Sequence, residues 1–253
     1  MSSLPYSPIK KQALSRRLPQ IGTAISLCAL IGYFGFEFST SPLFRVQEVS
    51  ISGNSKASDV AIRHLGNIRY NEHLALLSPE SIAYQIEQHP WVQHVSVSRT
   101  FPSVVNIDIT EYEPTLLLAL ERMWYVGQDG TIFRAADSFN MNHPILTGIE
   151  PAWINEHPTV VQRIIKDALT IREAFDLPLI GSEDNISEIH FQRETGFQII
   201  LRNGTTIVLG FYEPASRVDR LRQMISKGLD LSNPQTIELD ADQVAITKPL
   251  SQL

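Results

Sequence analysis

Between Phe44 and Pro114 the spacing of apolar residues switches from a period of two to a helical period and back, which restricts this stretch to a strand, helix, helix, strand, strand order. Val49 and Ile51 share one face over Val46 to Ser52, and Gly53-Asn54 ends that strand as a turn. Ser58 is a good N-cap for a first helix carrying Ile62 and Leu65 on one side. Ser78 caps a second, with Pro79 at its first position, Glu80 at the positive helix end, and Ile82, Ala83 and Ile86 as its apolar stripe. His89-Pro90 stops it, because a residue before proline is pushed out of the α region. Val95 and Val97 mark the second strand, Phe101-Pro102 the turn, and Val105, Ile107 and Ile109 alternate cleanly along the third. Two helices on one face of a three-stranded sheet follow from this order, and nothing in it is catalytic.

Gly53-Asn54 after the first strand, Pro90-Trp91-Val92, Val95 to Arg99, Phe101-Pro102 and Glu111-Tyr112-Glu113-Pro114 stand in one order along this stretch. In that combination it resembles a POTRA domain of the kind found in the bacterial cell-division proteins FtsQ and DivIB. Tyr112 stands where the family usually has a basic residue.

The chain has 253 residues, enough for two small domains and an anchor. Its single cysteine, Cys28, excludes an intrachain disulfide. The net charge of −6 is unevenly spread. Lys10, Lys11, Arg16 and Arg17 against Glu37 give residues 1–42 a charge of +3, which leaves −9 on the rest. An acidic main body argues against nucleic-acid binding, which needs a basic face.

From Ile21 to Phe36 there is no charge, and as a helix residues 18–38 reach across a hydrocarbon core of about 30 Å. Tyr33, Phe34, Phe36 and Phe38 cluster at one end, as aromatics do at a membrane interface. The early basic residues all precede the span, which predicts a cytoplasmic N-terminus with the bulk of the chain outside. A cleaved signal peptide would need a shorter apolar core and a better cleavage site than Ser39-Thr40-Ser41.

After Pro114 short strands dominate. Thr115 to Ala119 and Met123 to Val126 read as strands, Gln128-Asp129-Gly130 as a turn, and Thr131 to Phe133 as a further strand. Pro144 to Gly148 is a short apolar run, and Pro158 to Phe175 is helical with Val161, Ile164, Ile165, Ala168 and Ile171 on one face. Ile186 to Phe191, Phe197 to Arg202 and Thr205 to Gly210 form a meander, with Asn203-Gly204 a strong hairpin signal. A second helix, Pro214 to about Lys227, and a last strand, Thr236 to Thr247, complete the domain. It resembles the β domain that follows POTRA in FtsQ, through Asp129-Gly130 with Ile132-Phe133, Pro144 to Gly148, Ile207 to Gly210, the Arg217 to Met224 helix and Ile237-Glu238-Leu239.

The whole reads as α+β: a single N-terminal transmembrane helix, a β-α-α-β-β POTRA domain, then a mixed β domain with two helices. The expected boundaries are a cytoplasmic tail 1–17, a transmembrane helix 18–38, a linker 39–43, a POTRA domain 44–113, a β domain 114–248 and a tail 249–253.

Candidate chemistry is sparse. No histidine pair has the i, i+4 spacing of a helical zinc site, no G-x-S-x-G elbow occurs, and no phosphate-binding glycine loop is present. Glu111 and Glu113 share one side of a strand and read as a solvated strand end rather than an acid–base pair. The last strand is more informative. Ile237, Leu239 and Ala241 share one parity while Val244 and Ile246 share the other, so the phase slips near Asp242-Gln243 and a bulge is expected there. Glu238, Asp240 and Asp242 charge its other face. Such a strand is either a protected edge or one that accepts a partner's strand.

The resemblance favours acceptance. It implies that FtsB, with FtsL, docks on this strand and on an arginine at the start of the meander. The corresponding residues are Arg193, Thr236, Ile237, Glu238, Leu239, Asp240, Ala241 and Val244. Ala241 stands where the family usually has an aromatic, and Asp240 where an arginine is common. The expected function is a non-enzymatic scaffold of the division machinery, without cofactors, single-pass in the inner membrane at the septum, that helps control septal peptidoglycan synthesis. Two other classes are a POTRA-type chaperone presenting strands to client polypeptides, and an envelope hydrolase, which has almost no support among the residues.

Overall fold

A computed structural model describes residues 17–137, 142–175, 186–211, 213–239 and 246–249. The chain divides into two compact units, Met1–Thr110 and Glu111–Leu253. The first element of the N-terminal unit is helix α1, Arg17–Thr40, whose 24 residues rise about 36 Å. Ile25, Leu27, Leu30, Ile31, Tyr33, Phe34 and Phe36 are each more than half exposed. At about 100° per residue they spread over roughly two thirds of the helix circumference rather than one narrow face, with Cys28, Gly32 and Gly35 on the remainder. The side chains described in α1 are Thr23 and Ile25 to Glu37, and among the described residues no helix is long and apolar enough to cross a membrane. The ends of the expected span 18–38 lie outside that set, as do residues 1–16 of the expected tail.

The rest of this unit runs β1 (Glu48–Ser52), α2 (Asp59–Leu65), α3 (Pro79–Ile86), β2 (Val92–Thr100) and β3 (Val104–Glu111). The sheet order is β1-β3-β2. The two helices carry the chain over one face to β2 at the far edge, and the next turn brings β3 back between its neighbours. This makes β1 and β3 parallel, with Val49 opposite Val105 and Ile51 opposite Ile107. Val105, Ile107 and Ile109 are buried along β3 against Ile62, Ile82 and Ile86 of the helices. The expected caps form: Ser58 Oγ accepts from the Ala61 N–H at 3.2 Å and Ser78 Oγ from the Ser81 N–H at 3.3 Å. Gly53 at φ +81° is required, since a Cβ there would lie 2.0 Å from the Ile109 carbonyl oxygen. The first strand begins at Glu48 rather than Val46. Val46 instead exchanges backbone hydrogen bonds with the loop before α3, donating to Glu72 and accepting from Asn71.

The C-terminal unit is built on one nine-stranded sheet of order β12-β11-β10-β9-β8-β7-β4-β5-β6. Its strands are β4 (Pro114–Ala119), β5 (Met123–Gly127), β6 (Ile132–Ala135), β7 (Ile145–Thr147), β8 (Ile186–Gln192), β9 (Gly196–Leu201), β10 (Thr206–Gly210), β11 (Gln235–Glu238) and β12 (Ile246–Pro249). Helices α5 (Pro158–Ala174) and α6 (Pro214–Ser226) pack on one face over Leu116, Leu146, Ile189, Ile199, Ile207 and Ile237. The expectation of two helices misses a one-turn helix, α4 (Trp153–Glu156). His157, held before Pro158 at φ −134°, separates it from α5. Trp153, only 6% exposed, anchors α4 in the core.

The terminal segment departs further from the sequence reading. The single strand expected over Thr236 to Thr247 is two strands, β11 and β12, paired antiparallel with Thr236 opposite Lys248 and Ile237 opposite Thr247. The phase slip marks two separate strands rather than a bulge within one. Asp242-Gln243 themselves lie outside the described residues.

Candidate partner-binding site

The sheet of the C-terminal unit has two margins, β6 and β12. β12 rests on β11, and β11 rests on β10 through a parallel ladder from Thr206–Thr236 to Val208–Glu238. Beyond that ladder the Leu239 N–H donates to the Val208 carbonyl at 2.9 Å. The pairing of β10 with β9 shifts register between Val208 and Gly210, so Leu209 falls outside both ladders. Its carbonyl accepts from Arg217 Nη1 on α6, and Arg217 is 8% exposed. A buried cation thereby satisfies the carbonyl that the bulge sets free.

This geometry redistributes the expected site residues. Thr236, Ile237 and Glu238 lie on β11, whose backbone is engaged on both sides, so they do not form the free edge. Ile237 and Leu239 point into the core and are fully buried, whereas Thr236 and Glu238 are half-buried on the other face. Strand alternation requires this division. Among the described residues the open backbone edge lies one strand further on, at β12. Asp240, Ala241 and Val244 lie outside the described residues. Sequence reasoning missed β12 because Ile246 to Pro249 is short and was merged with the preceding strand. The available signal was the polar residues Asp240, Asp242 and Gln243 between two apolar runs, followed by Lys248-Pro249, the composition of an edge strand.

Arg193 sits in the turn between β8 and β9. Its guanidinium lies over the Trp153 ring with Cζ 4.5 Å from the ring centre. The antiparallel and parallel pairings bring the β8–β9 turn, the C-terminal end of β10, Leu239 and the start of β12 to the same end of the sheet. Arg193 and β12 remain about three strand spacings apart, roughly 15 Å. Arg193 therefore flanks the edge without touching it.

One polar cluster lies on the face away from the helices. The Thr147 hydroxyl is 2.5 Å from Glu188 Oε1 and 2.7 Å from His190 Nδ1, and it ties β7 to β8 across the Thr147–His190 pair. With one hydroxyl proton going to the carboxylate, the hydroxyl accepts from the imidazole N–H. Among the described residues no three His, Cys, Asp or Glu side chains are grouped to hold a metal ion.

Residues 44–112 match the family model of the FtsQ-type POTRA domain, and residues 119–240 match that of the C-terminal domain of cell division protein FtsQ/DivIB. Cell division protein FtsQ of Anaeromyxobacter sp. (strain K) is 28% identical over 85% of this chain and 74% of its own length. The FtsQ of Geobacter sp. (strain M21) is 22% identical over 97% and 96%. Cell division protein DivIB of Staphylococcus aureus (strain NCTC 8325 / PS 47) is 22% identical over 44% of this chain and 26% of its own length. With both domain models matched in this order, the chain belongs to the FtsQ/DivIB family of cell-division proteins.

Proposed function

We propose that this protein is a membrane-anchored scaffold of the division machinery that captures FtsB, together with FtsL, by adding a partner strand to β12. The open margin at Ile246–Pro249 carries this reading. Its outward N–H and C=O groups suit strand addition, a mode in which main-chain bonds give affinity and side chains give specificity. Arg193, over the Trp153 ring at the same end of the sheet, supplies a side-chain anchor of the kind that dominates interfaces. The partner names come from the family resemblance. Anchoring is supported by α1, whose large apolar side chains Ile25, Leu27, Leu30, Ile31, Tyr33, Phe34 and Phe36 are exposed over most of the helix circumference, a pattern that suits lipid. The basic residues before it favour a cytoplasmic N-terminus. Captured partners would in turn couple the scaffold to septal peptidoglycan synthesis.

A full chain truncated after Ala245 lacks β12 but keeps β11 on β10. Pull-down of co-expressed FtsB–FtsL should fall to background for the truncated chain, while a fluorescent fusion still bands at midcell through the rest of the molecule. Undiminished recovery of FtsB–FtsL would refute docking at β12.

A further inference from the structure

A groove of about 740 Å³ opens near the opposite margin of the same sheet, between the β4–β5 turn and α4. Its cause is a mismatch of widths. Nine strands at about 4.8 Å span roughly 38 Å, whereas two packed helices cover about 20 Å. Those helices sit over β8 and β10, α5 reaches as far as the β5–β6 turn, where Gln162 Nε2 donates to the Gly130 carbonyl, and the short α4 flanks the β4–β5 turn. Leu120, Trp124, Ile132 and Ile154 consequently pack against the core yet stay half-exposed, and together they line the groove.

Arg122 lies at this groove with its guanidinium across the Trp124 ring, Cζ 4.6 Å from the ring centre. The posture repeats that of Arg193 on Trp153, three strand spacings along the same end of the sheet. Among the described residues neither guanidinium has a hydrogen-bond or ion-pair partner. Seating over a ring engages the cation with the ring's π face and leaves guanidinium N–H donors for a carboxylate. It also fixes the side chain in advance, which lowers the entropy lost when a ligand binds.

We propose that this groove docks an acidic–apolar segment of a protein partner. An apolar side chain of about leucine size enters between Leu120, Trp124, Ile132 and Ile154, and a neighbouring carboxylate is held by Arg122. Glu121, the other charged residue of the groove, is exposed beside Arg122 and limits the carboxylates accepted. The groove lies about 31 Å from β12 across the sheet, so its occupant is not the strand added there, and the two bind without competing.

The test uses the full chain in detergent micelles with 5-fluorotryptophan at its three tryptophans, Trp91, Trp124 and Trp153. The probes are acetyl-Leu-Glu-amide and acetyl-Leu-Gln-amide. The Trp124 fluorine signal should shift saturably with the first probe at tens of millimolar, and about fivefold more weakly with the second, the scale of one exposed charged contact. Arg122→Gln should erase the difference between probes, and Glu121→Gln should strengthen binding of the acidic one. Unchanged Trp91 and Trp153 signals in these surface variants establish that they are folded. No saturable shift at Trp124, equal binding of both probes, or a response confined to Trp153 would overturn the proposal.

Discussion

Replacing Arg217 by methionine tests whether α6 secures the margin where docking is proposed. Methionine keeps most of the buried volume but removes the donor to the Leu209 carbonyl. That carbonyl is in the core, skipped by the β9 register and past the end of the β11 ladder. An orphaned buried acceptor costs about 1–3 kcal/mol. The gain from no longer burying a cation offsets part of this, since a buried charge is itself costly. The loss falls on β10, the strand that carries β11 and, through it, β12. If that energy is withdrawn from local opening of the margin, amides of β11 and Leu239 exchange about 5- to 150-fold faster. Hydrogen exchange of the full chain, read by mass spectrometry over residues 206–211 and 235–239, measures it. Amides of β3 in the N-terminal unit are the internal control and should not change. Unaltered exchange over 235–239 in a folded Arg217→Met protein would refute the link between this side chain and the margin.

Three other outcomes follow from local geometry. Glu80 is held below its usual 4.5 by its own backbone N–H and by the Ser78 hydroxyl, so its contribution is present above 4.5 and lost as pH falls through the lower folded value. Glu80→Gln should remove that part of the pH dependence of urea unfolding followed at Trp91. Asp167 is shifted the other way, raised above 3.8 by burial against the partial compensation of Arg163. Its ionised form burdens the fold at neutral pH and the burden lifts as pH drops through the raised value, so Asp167→Asn should add up to about 0.5 kcal/mol at pH 7 in thermal unfolding. Gly148→Ala places a Cβ 1.8 Å from the Phe191 carbonyl oxygen at φ +86°, and should cost the C-terminal unit roughly 3 kcal/mol or more by the same measurement.

Where local rules and tertiary packing agree, the sequence was readable. Ser58 and Ser78 cap the helices their neighbours begin, and Val105, Ile107 and Ile109 alternate because β3 is buried on one face along its length. Legibility declined where a single residue in the core decides the structure. α4 has no periodicity to detect, since one turn cannot repeat, and it exists because Trp153 is buried and Pro158 forbids continuation. The sequence pattern merges β11 and β12 into one strand for a related reason. Apolar parity reports which face a residue occupies but not whether the chain has reversed between two runs. Ile237 and Leu239, expected on a partner-binding strand, have their side chains buried in the core. Arg193 was identified by resemblance, but its stacking on Trp153 depends on a contact 40 positions away in the chain and leaves no local trace.

The two margins of the sheet are alike in length, and this limits what backbone pairing can supply. β6 and β12 each have four residues. In an antiparallel edge alternate residues direct both polar groups outward, so β12 offers two such residues. One of the two possible phases includes Pro249, which has no N–H. An added strand therefore makes about three or four main-chain bonds, worth roughly 0.5–1.5 kcal/mol each, or about 2–6 kcal/mol in total. A micromolar complex requires about 8 kcal/mol after the cost of association has been met. Backbone pairing at β12 thus falls short alone, and side-chain anchors must provide the remainder. On the two proposed readings that remainder comes from Arg193 and Arg122, each held over a tryptophan ring and able to meet a carboxylate on a partner.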